Sequence, residues 1–168
     1  RFVVRGDQLR RIIGVNAKIP SARNQQVLRF RPVLADEAPK VLPHIRLGGA
    51  LPELHLPLPG TEPNAFIIIC STVAEDRYVD IDLGISAQSM LLQAVEIGLN
   101  GICIGAFDKE PIRREFGLDA EPLLILALGK GIEKIVKIDL SKEEAEKFAA
   151  SADAVRKTNN VLHEIKAI

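Results

Sequence analysis

Asp80-Ile-Asp-Leu-Gly-Ile-Ser-Ala-Gln-Ser-Met-Leu-Leu-Gln-Ala-Val-Glu-Ile-Gly98, followed at once by Leu99-Asn-Gly-Ile-Cys-Ile-Gly-Ala-Phe107, reads as a helix that turns directly into a buried strand. Apolar residues at Leu83, Ala87, Met90, Leu91, Ala94, Val95 and Ile97 recur with the helical period of about 3.6. Asp82 is the candidate N-cap and Gly98 the candidate left-handed C-cap. Gly84, Ser86, Ala87 and Ala94 are small enough to let a second backbone come close. A helix so poor in polar interruptions is expected to pack on two sides, with a partner subunit as one possible neighbour. Taken alone, the run also fits an ordinary central helix of an α/β domain.

Upstream, Asp7-Gln-Leu-Arg-Arg-Ile-Ile-Gly-Val-Asn-Ala-Lys18 reads as a first helix, capped by Asp7, with Leu9, Ile12, Ile13 and Ala17 as its apolar stripe. Pro20 closes it, and the polar loop Pro20-Ser-Ala-Arg-Asn-Gln-Gln26 leads into an extended run, Val27 to Leu34. Pro32 within that run marks an edge strand or a strand end. Six prolines between residues 35 and 64 describe a long surface excursion, with a short helix around Lys40 to Ile45; a lid, a binding loop and a variable insertion all fit. Ala65 to Val73 is continuously apolar and β-branched, as a strand covered on both faces requires.

Downstream of Phe107 the pattern gives a short helix over Pro111 to Phe116, ended by Gly117, and a buried strand over Glu121 to Leu128. The tail opens with a helix from Ser141 to about Ala150, where Glu144 completes a capping box, and continues through a turn at Asn159-Asn160. Nothing repeats internally and no low-complexity linker interrupts residues 1–168, so a single domain is expected.

Composition narrows the functional classes. The 168 residues are 47% hydrophobic and 26% charged, enough to bury a core without staples. Lys and Arg number 22, as do Asp and Glu, so the broad basic footprint of a nucleic-acid or acidic-membrane binder is missing. No apolar segment approaches the length of a membrane span, and no leader pattern is visible; a cytoplasmic location is expected. Cys70 and Cys103 each sit in an apolar run and read as buried, reduced thiols, and His44, His55 and His163 stand too far apart for a zinc pattern.

The chain carries no glycine-rich phosphate loop, no nucleophile elbow and no singled-out carboxylate pair. An enzyme built on it would take its reactivity from a bound cofactor, with no catalytic side chain. Two places could hold one. The loop from Pro20 to Gln26 offers backbone groups, a hydroxyl and carboxamides suited to the edge of a heterocycle, or simply a set of turns. At Cys103 to Phe107, Gly105 would admit a close neighbour, or mark a bulge.

In their order and spacing, these blocks resemble the nitroreductase family of flavin enzymes. The resemblance lies in Pro20-Ser-Ala-Arg-Asn-Gln-Gln26 with Phe30, in Asp82 to Ala94, in Gly98-Leu-Asn-Gly-Ile-Cys-Ile-Gly105, and in the strand ending at Gly129. The tail from Val155 through Lys166 is similar, more faintly, to the terminal hairpin of a compact branch. The resemblance implies an α+β fold, a mostly antiparallel central sheet flanked by helices, working as an intertwined homodimer with FMN at the subunit interface. Pro20, Ser21, Ala22 and Asn24 of one subunit would then touch the flavin, and Cys103, Ile104, Gly105 and Ala106 of the other would line its ring. NAD(P)H would be the hydride donor, and a nitroaromatic, a quinone or a similar small molecule the acceptor, in a two-step exchange.

The sequence also departs from the family pattern. Members usually carry an Arg-Arg-Ser segment that grips the FMN phosphate, where this chain shows Arg1-Phe-Val-Val-Arg5. Either that segment lies upstream or the grip is altered, with Lys166 or Lys130 as substitutes. Val27-Leu28 replaces a proline-tryptophan pair, Ser89 replaces an Asn, and the large residue expected near Cys103 is missing. Two alternatives therefore stay open: a flavin-free dimeric binding or scaffold protein, and a flavin enzyme of other chemistry, such as dehalogenation or flavin breakdown.

Overall fold

The seven residues Ala65–Ser71 form strand β2, and every one of them is buried. Alternation explains how a continuous apolar run is used: Ala65, Ile67 and Ile69 enter one core cluster, while Phe66, Ile68 and Cys70 enter another. The sheet is therefore covered on both faces, as the run required. In this computed structural model residues 2–49, 55–131 and 141–149 are described. The elements in chain order are α1 (Gly6–Gly14), β1 (Leu28–Val33), β2, α2 (Arg77–Glu96), β3 (Asn100–Ile104), α3 (Lys109–Glu115), β4 (Glu121–Gly129) and α4 (Lys142–Ala149).

The four strands lie in the order β1-β2-β4-β3, and all three pairings are antiparallel. This is the expected α+β architecture. Pro122 is accommodated by a register shift opposite Ile69 and Cys70, before β3 joins the sheet. Pro32 lies on β1, an edge strand, where a missing N–H costs no ladder bond. Helices α1 and α2 cover one face through Leu9, Ile12, Ala87, Met90 and Ala94. The opposite face is closed by Ala38 and Val41 from two short 3-10 turns and by Ile112 of α3.

Helix α2 starts earlier than its periodicity suggested. Asp76 is the N-cap, accepting from the backbone N–H groups of Tyr78 and Val79 at 2.8 and 2.9 Å. Asp82 is thus not a cap: it lies in the second turn with only 5% of its surface exposed. Gly98 does adopt the left-handed conformation, at φ +76°. Val79, Asp82, Ser86, Met90 and Ala94 face inward, whereas Tyr78, Ile81, Leu92 and Val95 are between 47% and 61% exposed. With half-buried Ile85 and exposed Gln88, the outer residues recur at spacings of three and four. Ala87 belongs to the core, and a side chain at Gly84 would meet open space.

Helix α1 is also capped earlier than expected, at Arg5 rather than Asp7. The Arg5 backbone N–H donates to Gln8 Oε1 at 2.9 Å, and the Arg5 guanidinium holds Asp7 at 3.0 and 3.1 Å. Its last turn tightens into a 3-10 segment, Val15–Lys18, and Ala17 is exposed rather than in the stripe. Strand β3 is the outer edge of the sheet beside β4, with Ile102 and Cys103 exposed; the expected buried strand is buried only at Ile104. At Gly101 the approach is close: a Cβ would stand 2.7 Å from Leu128 and from Leu91 of α2.

The chain divides into two compact units, Arg1–Leu47 with Pro57–Gly131, and Gly48–Leu56 with Ile132–Ile168. The first contains the sheet and α1 to α3. In the second, α4 bears the expected capping box: Ser141 N–H donates to Glu144 Oε2 at 2.9 Å, and Glu144 N–H to Ser141 Oγ at 3.3 Å. These bonds hold the Glu144 carboxyl below its ordinary range. The expected turn at Asn159-Asn160 and the terminal hairpin lie outside the described residues.

Candidate functional site

The loop after α1 is folded by bonds to itself and to α2. Asn24 N–H donates to Ser21 O at 2.9 Å, and Gln26 N–H donates to Ser21 Oγ at 3.1 Å. Arg23, Asn24 and Gln26 adopt φ of 52°, 54° and 50°, the left-handed region that non-glycine residues enter at a cost of about 1 kcal/mol or more each. Such a turn persists only where its surroundings over-determine it. Asp82 supplies part of that constraint, accepting the Ala22 N–H on both carboxylate oxygens at 2.9 and 3.1 Å. Thr72 supplies another part, its N–H and hydroxyl both donating to Val27 O at 3.1 Å.

Between this loop, α2 and β1 lies a cleft of 490 Å³ lined by Pro20 and Ser21 together with Asn16, Gln25, Gln26, Phe30, Asp82 and Ser86. Its size falls within the range of small-molecule pockets. Ser86 Oγ donates to Asn16 Oδ1 at 2.5 Å, and Asn16 Nδ2 donates to Ile13 O at 2.9 Å, so these two are spent on the frame. The Asn24, Gln25 and Gln26 carboxamides, by contrast, have no hydrogen-bond partner among the described residues. Of the loop residues expected at a ligand, Pro20 and Ser21 line the cleft, and Ala22 and Asn24 stand on the same turn beyond its lining. The Arg23 guanidinium rests over the Tyr78 ring at 5.7 Å.

The second expected segment lies elsewhere. Cys103 and Ile104 end β3, and Gly105 and Ala106 follow it in a loop whose Ala106 carbonyl accepts from Arg46 N–H at 2.9 Å. Ile104 is buried in the core; Cys103, Gly105 and Ala106 are exposed, and nothing lies within 4 Å of a Cβ placed on Gly105. Strands β1 and β3 are opposite edges of the sheet, roughly 14 Å apart at the usual strand spacing. One chain therefore does not bring the two segments together. Lys166 lies outside the described residues. Lys130 sets its ammonium over the Phe2 ring at 5.8 Å.

The two thiols differ. Cys70 is buried, and burial, aided by the negative charge of Glu121, pushes its thiol up to about 11. Cys103, expected to be buried, is exposed because it sits on the outermost strand. A neutral-pH thiol reagent is accordingly expected to modify Cys103 in preference to Cys70, read by mass spectrometry of the digested protein; equal labelling would contradict the burial of Cys70.

Sequence reasoning missed Asp82, Asn16 and Ser86 as cleft residues. A signal existed for two of them: Asp82 and Ser86 interrupt the line Asp82, Ser86, Met90, Ala94 that faces the core, and a polar group on a core line needs a partner. No group of three potential metal ligands occurs among the described residues, and no described helix is long and apolar enough to cross a membrane.

The domain is an α+β antiparallel sheet covered on both faces, with a ligand-sized cleft at the foot of its first edge strand. The Nitroreductase family model matches residues 3–130, and the chain belongs to that family. A solved structure named as an FMN-dependent nitroreductase from Clostridium difficile R20291 superposes with a TM-score of 0.63 over 84% of each chain at 20% identity, a likeness of fold. In sequence, the chain is 60% identical to malate dehydrogenase of Bacteroides fragilis over 42 residues, 24% of this chain and 13% of that enzyme. It is 37% identical over 57 residues to a protein of Methanocaldococcus jannaschii that carries a nitroreductase name, 34% of this chain and 29% of that protein. The match thus spans under a third of either relative's length, and the dehydrogenase segment is too small a share to carry that activity here.

Proposed function

We propose that this chain is an FMN-dependent oxidoreductase that takes its electrons from NAD(P)H and works as a homodimer. The observation that carries the reading is the loop Pro20 to Gln26: in a chain of the nitroreductase family, it presents unpartnered carboxamides beside a cleft of ligand size. Those carboxamides offer both donors and acceptors, the set that fits the edge of a flavin. Bound there, FMN would supply hydride transfer from NAD(P)H to a nitroaromatic, a quinone or a similar acceptor in a two-step exchange.

The protein's own residues bind and orient. Pro20, Ser21, Ala22 and Asn24 would hold the ring from one subunit, with Ser21 fixing the turn through Gln26. Cys103, Ile104, Gly105 and Ala106 of the other subunit would form the opposite wall, Ile104 through its backbone because its side chain is in the core. A homodimer is supported by the exposed apolar stripe of α2, whose spacing of three and four is that of a helix seam. It would also bridge the distance that separates the two segments within one chain. The N–H donors of the unpartnered loop carboxamides would favour the negative charge of the reduced ring, and no side-chain acid or base is required.

The absorbance spectrum of the purified protein tests this reading. A yellow protein that releases FMN and oxidises NAD(P)H supports it; repeated colourless preparations that fail to take up added FMN overturn it. One observation favours the flavin-free scaffold instead. Arg5, the arginine of the N-terminal segment that the structure describes, is committed to Asp7 at the start of α1 and not to an anion site. A stable dimer with neither flavin uptake nor NAD(P)H oxidation would select that reading.

A further inference from the structure

We propose that Asp82 is the positioning residue of the cofactor loop, clamping the Ala22 N–H so that the turn through Arg23 and Asn24 is held ready for the ligand. The proposal rests on the flavin reading for the identity of the ligand, but not for the clamp itself. Asp82 projects from the second turn of α2 and is 5% exposed. Both of its oxygens converge on one donor, the Ala22 N–H sixty residues away in the chain, at 2.9 and 3.1 Å. No cation pairs with it among the described residues.

A buried carboxylate with a single backbone donor and no counter-charge is an expensive way to tie down a loop, since burying an ionised group is costly unless its acceptor capacity is used. What the carboxylate achieves is specific. Ala22 is the first residue of the 3-10 turn, and Arg23 and Asn24, immediately after it, are left-handed. Anchoring that N–H to a helix opposes relaxation of the two strained residues to ordinary backbone, which would swing the Asn24 and Gln25 carboxamides away. Asp82 also lines the cleft beside Ser86, whose hydroxyl ties the same helix to Asn16 after α1. The rigid wall and the strained loop are thus joined at one carboxylate. Asp82 acts through Ala22, and touching the ligand is not required of it.

The test uses the full chain with Asp82→Ala and Asp82→Asn, the second keeping one acceptor oxygen. FMN affinity is read by quenching of flavin fluorescence on titration into flavin-free protein, and backbone exchange by hydrogen–deuterium mass spectrometry of peptides covering 20–26 and 84–96. Loss of a hydrogen bond to a charged acceptor predicts FMN binding weaker by roughly tenfold to a hundredfold in Asp82→Ala, with partial rescue in Asp82→Asn. Exchange over 20–26 should rise in Asp82→Ala while 84–96 stays protected. A merely structural role would loosen both peptides together and leave the affinity of the folded fraction unchanged; that result, or unchanged exchange over 20–26, overturns the proposal. If the unaltered protein takes up no FMN, the flavin reading fails, and exchange over 20–26 alone then decides whether Asp82 clamps the loop.

Discussion

Leu92→Lys combined with Val95→Lys is expected to convert the proposed dimer into a folded monomer and to release bound FMN at the same time. Both residues lie on the outer stripe of α2, where they are 61% and 59% exposed, so the fold itself loses little. In the proposed dimer each apolar side chain would be worth about 1.5–3 kcal/mol of burial. Four such losses per dimer, two from each chain, raise the dissociation constant by on the order of 10⁴-fold or more. Analytical ultracentrifugation across a concentration series reads the assembly, and the flavin-to-protein absorbance ratio reads the cofactor. A double variant that stays dimeric and yellow would place the interface elsewhere.

Gly84 sharpens the same test. In a lone chain, Gly84→Ala stabilises α2 by up to about 1 kcal/mol, because its Cβ would meet open space. In a dimer seamed along this helix, a large residue there meets the partner and weakens assembly. Ala87, which the sequence suggested beside Gly84 as an interface residue, is buried against the sheet, so bulk there would damage the chain's own core.

Phe66→Ala is expected to cost about 3–5 kcal/mol of folding stability, the usual range for removing a fully buried aromatic side chain. Phe66 is 0% exposed and lies on β2 between β1 and β4, in the cluster with Val33, Val41 and Ile112. No single short segment can close around the vacancy, because its walls come from four separate elements. Total stabilities of about 5–15 kcal/mol make this a large fraction. Urea denaturation followed by circular dichroism should show a lower midpoint with an unchanged slope. A shift below about 1 kcal/mol would mean that this cluster is far looser than its burial indicates.

Local patterns were legible wherever the chain's own hydrogen bonds and periodicity settle them. The strands at β2 and β4, the edge position implied by Pro32, the left-handed Gly98 and the Ser141–Glu144 box all follow from residues within a few positions of one another. Capping was less legible. Asp76, Asp80 and Asp82 all precede or enter α2, and counting the apolar period from Leu83 selected the wrong one. Tyr78 and Ile81 begin the helix's outer stripe.

Cys103 shows the same limit from the other side. Ile102-Cys-Ile104 has the composition of a buried strand, yet burial depends on which strands flank it, and among the described residues β3 is flanked by β4 alone. The residues now at the candidate site were present in the sequence as a polar loop and a stretch ending in glycine. Family resemblance named them, and composition by itself left them as turns. Periodicity could establish elements because it reflects neighbours along the chain. Sheet order, the exposure of β3, the roughly 14 Å between the edge strands β1 and β3, and the bond from Ala22 to Asp82 were decided only on folding, since each joins residues tens of positions apart whose meeting leaves no local spacing to read.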